Sequence, residues 1–388
     1  MSQRVCRLAV CLVWSYSLTA AIAGADTIPS FQGLGHLPGG GSFSSAQGVS
    51  ADGTTVVGRS DATGTDGNLA FRWTSSGGMV SLGDLPGDGT DSEAYGASAN
   101  GDVVVGAGND ATGPKAFRWV APGPMHNLGD LPGGAEQSHA RAVSADGTVV
   151  TGSGNTSAGS EAFVWREATG MVGLGDLPGG SVTSSAKGIS SDGSRVAGWS
   201  ISADGTEAFR WTEGQGMVGL GDLPGGLFFS QADDISGNGH VVVGFGSSVN
   251  APTLTRFEAF RWTQATGMVA LGDLEGGQFN SRAIAVSANG RIIVGRGSSD
   301  AGTEAFIWDE VHGMRSLRDL LTAGFGLDLT GWSLNNALGV SADGRIIVGS
   351  GTNPLGQSEA WIARIPEPAT ISLLTLGALA VMRRRRNR

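Results

Sequence analysis

Cysteine is almost missing from this chain. Of 388 residues only Cys6 and Cys11 are cysteines, and both fall in an N-terminal segment read below as a leader. The remainder can form no disulfide and offers no thiolate, which excludes a cross-linked scaffold and cysteine-based chemistry. Basic excess is also missing: 25 Lys+Arg stand against 35 Asp+Glu, so the chain lacks the electrostatic footprint of a nucleic-acid binder. No amphipathic helix of three turns can be traced between the two ends. The 66 Gly and 13 Pro fall short of the roughly 25–30% of low-complexity disorder. Their spacing also lacks the every-third-residue rule of a triple helix. What is plentiful is apolar residues, at 40%. That is enough for a large buried core, but one ordinary core stops growing near ~250–300 residues. The chain therefore needs several domains or a repeat.

The two ends read as addresses. Arg4 and Arg7 precede an apolar stretch from Leu8 to Ala20, the pattern of a secretory signal. Small residues at 21, 23 and 25 allow cleavage after Ala23 or after Ala25. The apolar stretch is too short for the ~20 residues of a membrane span. At the other end stand Pro366-Glu367-Pro368, a mostly apolar run from Ala369 to Met382, and the cluster Arg383, Arg384, Arg385, Arg386. Fourteen residues of helix reach ~21 Å, short of the ~30 Å hydrocarbon core, with the arginines placed to stay on the cytoplasmic side. Three segments result: 1–25 as signal peptide, 26–365 as the folded domain, and 366–388 as sorting tail and membrane anchor. The folded segment alone carries 18 Lys+Arg against 34 Asp+Glu, a soluble, self-repelling surface.

The middle is one unit written seven times. Leu-Gly-Asp-Leu-Pro-Gly or a variant starts at Leu34, Leu82, Leu128, Leu174, Leu220, Leu271 and Leu317. Ser-Ala-Asp-Gly or a variant starts at Ser50, Ser98, Ser144, Ser190, Ser236, Ser287 and Ser341. Ala-Phe-Arg-Trp or a variant starts at Ala70, Ala116, Ala162, Ala208, Ala259, Ala305 and Ala360. A period near 46 residues with four strand-like runs in each unit predicts an all-β fold of repeated four-stranded sheets. In the third unit the runs are 139–144, 148–152, 161–165 and 171–177. Asp-Gly and Asn-Gly between the first two runs are tight-turn signals. Runs such as Val103-Val104-Val105 suit a sheet covered on both faces.

The phase at the ends selects a closed ring over an open solenoid. Phe31 to Leu37 is a lone fourth strand with no unit before it, and the last unit stops after Ala360-Trp361-Ile362-Ala363 without a fourth strand. A ring mends both defects, whereas a solenoid needs capping repeats. The sequence predicts a seven-bladed β-propeller whose N-terminal strand closes the last blade. Two connections vary in length: 321–332 carries eight extra residues, and 249–257 is longer than its counterparts. Variable loops on a rigid ring are where function usually sits.

Chemistry is sparse. His36, His126, His139, His240 and His312 each occupy a different phase of the unit, and no His-x-x-x-His pair exists, so neither a metal nor a cofactor is expected. Asp84, Asp130, Asp176, Asp222, Asp273 and Asp319 share one phase, where an Asp most simply bonds its own turn. The paired aromatics, Phe71 with Trp73 and their successors, lie two apart and read as inter-blade core. Asp61 to Gly67 is only loosely like a calcium loop. The candidate ligand rim comes from positions that break the repeat. After each apolar second strand comes Gly-x-Ser or Gly-x-Gly, where x is Arg59, Ala107, Ser153, Trp199, Phe245, Arg296 and Ser350. Of these Arg59, Trp199, Phe245 and Arg296 are expected on an exposed rim, joined by Phe228, Phe229 and Trp332 from the variable regions. Such a mixture suits stacking on a sugar ring.

Two resemblances follow from these motifs. Pro-Glu-Pro, a short apolar helix and a terminal arginine cluster resemble the PEP-CTERM sorting tail of bacterial surface proteins. That likeness implies export and processing by an exosortase-type membrane protease. The units resemble the extracellular HAF-type repeat, although Glu161-Ala162-Phe163 and its equivalents place Glu where that signature has His. The resulting expectation is an exported, surface-associated, non-catalytic propeller that binds or organises extracellular material, with extracellular polysaccharide as partner and a membrane contact through the tail. A polysaccharide lyase or hydrolase using non-repeated carboxylates such as Asp233, Asp234 and Asp328, and a structural coat protein without a ligand, are the competing classes.

Overall fold

The computed structural model describes residues 28–62, 67–87 and 91–366. They form seven four-stranded antiparallel sheets arranged as the blades of a β-propeller. The first blade shows the plan: Ser44–Val49 innermost, then Thr55–Asp61, Asn68–Thr74 and Gly78–Gly83 outermost, in simple meander order. The other innermost strands are Ser92–Ala97, Gly133–Val143, Gly179–Ile189, Ser230–Ile235, Arg282–Val286 and Ser333–Val340. In the third blade the outermost strand stops at Gly173, so the expected run to 177 is half strand and half loop. The helical content among the described residues is one turn at Leu317–Asp319 and a wider π-type turn at Leu320–Gly324. The π-type turn runs into the segment 321–332 that carries the eight extra residues, and the Leu317–Asp319 turn precedes it.

The core lies between blades. One cluster joins Val105 and Ala116 of the second blade to Ala140, Val150 and Phe163 of the third, and the pattern recurs around the ring. Phe71, Phe117, Phe163, Phe209, Phe260, Phe306 and Trp361 are fully buried at one phase of the third strand. The repeated aromatics therefore fill the gaps between facing sheets, because flat blades need large groups to pack against each other.

Closure occurs as the end phases require. Ser30–Gly33 pairs antiparallel with Ser358–Arg364 and supplies the last blade's outer strand. Leu34 N–H then donates to the Ala360 carbonyl at 2.8 Å. A second, innermost closure was not anticipated. The turn residues of neighbouring blades bond backbone to backbone: Asp52 to Ala99, Ala99 to Ala145, Ala145 to Ser191, Ser191 to Gly237, Asn238 to Ala288, Ala288 to Ala342, and Ala342 to Ala51, at 2.9–3.1 Å. This belt of seven bonds runs around one end of the channel. It is made possible by the small residue after Ser in each Ser-Ala-Asp-Gly turn.

Each turn is itself locked. In the third blade Ser144 Oγ donates to Asp146 Oδ1 at 2.6 Å and accepts from Val149 N–H at 3.0 Å. Asp146 also accepts from Thr148 N–H at 3.0 Å. These bonds satisfy buried groups that a hairpin end would otherwise orphan.

Candidate functional site

Every innermost strand carries the same irregularity. The pairing skips one residue between Ala46 and Gly48, and equivalently in all seven blades. The skipped residues are Gln47, Tyr95, Arg141, Lys187, Asp233, Ile284 and Leu338. A bulge re-aims its extra residue, and all seven line the channel. Below them lie apolar Val49, Ala97, Val143, Ile189, Ile235, Val286 and Val340, and then the small residues of the backbone belt. The cavity so formed has a volume of about 350 Å³.

The bulge ring is chemically lopsided. Arg141 and Lys187 stand side by side on the third and fourth blades, while Ile284 and Leu338 face the channel from the sixth and seventh. Asp233 on the fifth blade is neutralised by Arg282, whose guanidinium grips it through Nε and Nη2 at 2.5 and 2.6 Å. Asp234 occupies a position held by Gly or Ala in the other blades. It accepts from Ile235 N–H and Val286 N–H at 2.8 and 2.9 Å, and burial pushes its carboxyl up to about 7. Glu93 at the mouth accepts from Gln47 at 2.8 Å and pairs with Arg59 at 3.3 Å. Both of these mouth carboxylates, Glu93 and Asp233, thus have a cation.

Arg141 and Lys187 have no such partner among the described residues. Arg141 stacks over the Tyr95 ring at 4.2 Å. Burial, and then the charge of Arg141, pull the Lys187 amine down to about 8. The same two influences, burial and then Arg141, hold His139 at about 4, so its ring is neutral. The chain's other lysine is the contrast. Lys115 is also buried, yet it donates to Asp130 at 2.8 Å, to Glu136 Oε2 at 3.1 Å and to the Glu136 carbonyl at 2.7 Å. Those bonds outweigh burial and raise its pKa.

The expected rim residues gather at one end of the ring, but only some are free. The varied position lies within each second strand and pairs with the innermost strand: Ser45 with Arg59, Ser185 with Trp199, Gln231 with Phe245, and Arg282 with Arg296. These pairs lie near the start of the innermost strand, at the end away from the belt. Arg296 is exposed and Trp199 half-buried. Arg59 is committed to Glu93 and lies 5.3 Å over the Phe43 ring. Phe245 corrects the expectation of exposure: it is 4% exposed. The Arg282 guanidinium covers it at 4.3 Å, and it packs with Phe257 at 4.9 Å and Phe229 at 6.0 Å. Phe229 is half-buried in that cluster, whereas Phe228 is exposed beside Leu227. Trp332 is half-buried, edge-on to Phe31 at 5.1 Å, where it covers the closing strand.

The residues missed from the sequence are the bulge residues and their neighbours on the innermost strand. The signal was present: Ser-x-Ala-y repeats with x as Ser45, Glu93, His139, Ser185, Gln231 and y as the ring above. These are varied positions between constant small ones, the same argument that selected the Gly-x-Ser position.

Of the repeated acids, Asp84 accepts from Leu85 N–H and Asp130 from Lys115 Nζ, each at 2.8 Å. Asp273 accepts from the amides of Leu274, Asn280 and Ser298 at 2.7–2.9 Å. The exposed Asp328 accepts from Thr330 N–H and Oγ1 within its own turn. No cluster of three or more metal-ligating side chains occurs among the described residues. Of the sorting motif Pro366 is described. Glu367, Pro368 and Arg383, Arg384, Arg385 and Arg386 lie outside the described residues, as do Ala23 and Ala25 and the apolar run expected to meet the membrane. Among the described residues no helix is long and apolar enough to cross a membrane.

Residues 364–386 match the PEP-CTERM protein-sorting motif. No curated protein matches the chain. Among solved structures the chain is similar to TolB from Acinetobacter baumannii at 10% identity and a TM-score of 0.47, covering 82% of this chain and 65% of that one. It is similar to Kuenenia stuttgartiensis hydrazine synthase at 13% identity and a TM-score of 0.45, covering 81% and 93%. A third likeness is to Porphyromonas gingivalis dipeptidyl peptidase 4, at 10% identity and a TM-score of 0.44, covering 85% and 53%. The chain thus spans about two thirds of that TolB and half of that peptidase. At this distance none of the three bears on what this chain does.

Proposed function

We propose that this is an exported, non-catalytic surface protein that holds extracellular polysaccharide at the channel mouth, its tail processed by an exosortase-type membrane protease. The observation that carries the reading is where the seven-fold regularity breaks. Core, turn and belt positions are nearly identical from blade to blade. The bulge residues, their mouth neighbours and the longer loops differ, and they gather at one end of the ring. The match at residues 364–386 supports export and surface sorting, and the HAF-like units agree with an extracellular setting. The segment division 1–25, 26–365 and 366–388 belongs to the same reading.

A non-catalytic role fits the state of the carboxylates. A glycosidase needs two carboxyl groups set for acid and base or nucleophile. Asp233 is gripped by Arg282, Asp234 is spent on two backbone amides, and Asp328 closes its own turn. The test is co-sedimentation of the purified full-length protein with the producing bacterium's matrix polysaccharide, followed by reducing-end analysis. Retention without new reducing ends is expected, weakened by Trp199→Ala. New reducing ends would establish an enzyme instead. No retention, with ordered self-association, would favour a coat protein.

A further inference from the structure

We propose that the channel is a binding site for a sugar acid, with a uronic acid carboxylate seated between Arg141 and Lys187 and the ring lying toward Ile284 and Leu338. This deepens the reading above and takes the glycan from it.

Five features of the channel converge on this assignment. The two cations come from bulges that aim them into one cavity. No carboxylate among the described residues bonds either of them, while Glu93 and Asp233 are each paired elsewhere. A planar guanidinium held by stacking on Tyr95 offers the fork that a carboxylate fits, and the ammonium adds a second donor. The opposite wall is apolar, so an occupant using both walls is an anion on a small ring with a C–H face. The volume, about 350 Å³, sits at the small end of the roughly 300–1,000 Å³ of ligand sites, which suits one sugar residue rather than a chain.

A purely structural channel gives no account of Lys187. This chain has two lysines in all. One is buried with three partners, and the other is half-buried beside Arg141, with Arg282 and Asp233 also facing it. Keeping an unpaired cation next to another costs stability, a pattern common where function is retained against it. An incoming carboxylate removes that cost, so binding should raise the Lys187 pKa.

The scarcity of lysine makes the test site-specific. Reductive methylation with ¹³C-formaldehyde labels Lys115 and Lys187 in the full-length protein, each readable by NMR. D-glucuronate is titrated against D-glucose, acetate and inorganic phosphate. Expected is a saturable shift of the Lys187 signal with glucuronate, none at Lys115, and at least ~10-fold weaker binding of glucose and of acetate. Calorimetry on unmodified protein should show at least ~10-fold weaker glucuronate binding in Arg141→Gln and in Lys187→Met, with Lys187→Met melting no lower than the parent. Silence at Lys187, glucose binding as well as glucuronate, or full affinity in both variants would overturn the site. Acetate or phosphate matching glucuronate would overturn its assignment to a sugar acid. The two readings separate cleanly. Matrix retention at full strength in Arg141→Gln overturns the channel site alone, while glucuronate binding without any matrix retention overturns the matrix-binding role alone.

Discussion

Gly152→Ala is expected to be among the most damaging single-methyl additions this ring can receive. The second strand of each blade has Gly where it crosses the innermost strand's carbonyl before the bulge. A Cβ on Gly152 would sit 1.8 Å from the His139 carbonyl oxygen and 3.0 Å from the Phe163 ring. The equivalent distance to the facing carbonyl is 2.0 Å at Gly58, Gly106, Gly198, Gly244 and Gly295, and 1.9 Å at Gly349. The facing atom is backbone, so nothing flexible can turn aside, and the strand must withdraw by more than ~1 Å. That movement breaks about two ladder hydrogen bonds, worth ~1 kcal/mol each, and adds overpacking of about 1–3 kcal/mol. The total is about 3–5 kcal/mol. Gly170→Ala is the control. It has a left-handed backbone, φ +68°, with nothing within 4 Å of its Cβ, so it carries only the roughly 1–2 kcal/mol of an L-residue in that conformation. Urea unfolding of both variants, compared by midpoint and slope, decides. If Gly152→Ala loses no more stability than Gly170→Ala, close backbone approach is not what fixes glycine there.

Ser144→Ala removes a bond to the Asp146 carboxylate and strands the buried Val149 N–H, so a loss of about 2–4 kcal/mol is expected in the same unfolding assay. Among the turn acids Asp192 is held down to about 2, chiefly by the Ser190 hydroxyl. A depressed carboxylate stabilises above its unfolded value of 3.8 and loses that contribution as pH falls toward 2. Acid unfolding should therefore begin in that window, and Ser190→Ala should move it upward. Lys187 has the opposite sign. Its fall from 10.5 to about 8 marks up to about 3 kcal/mol of unfavourable burial of the cation, relieved progressively as pH rises from 8 toward 10.5. Lys187→Met should consequently melt higher than the parent at pH 7 and lose that advantage by pH 10 in calorimetric scans; a lower melting temperature at pH 7 would contradict the unpaired state of the amine. Glucuronate affinity should fall as pH rises past 8 in the parent protein and show no such step in Lys187→Met.

The sequence by itself determined the period, the number of blades, the turn chemistry and the closing strand, because each of these is local or is counted along the chain. Three landmarks at a constant phase define a blade, and Asp-Gly defines its hairpin. A lone strand at one end and a missing strand at the other leave only a ring. The core reading of Phe71 and its successors follows in the same way, since a residue invariant in phase meets the same neighbour in every blade.

Only the tertiary structure decided which varied side chains meet. Phe245 reads as a rim residue along its own strand, yet Arg282 from the next blade covers it and leaves it 4% exposed. Asp233 and Arg282 are 49 residues apart and form one pair, while Arg141 and Lys187, 46 residues apart, are left side by side with no carboxylate hydrogen-bonded to either among the described residues. The deciding element is the bulge. Alternation along a strand assigns each residue to one of two faces, and an inserted residue belongs to neither. Whether Gln47, Arg141 or Lys187 points at a neighbouring blade or into the channel depends on that one skipped pairing inside its own blade, and these side chains meet only once seven innermost strands have closed around a common axis.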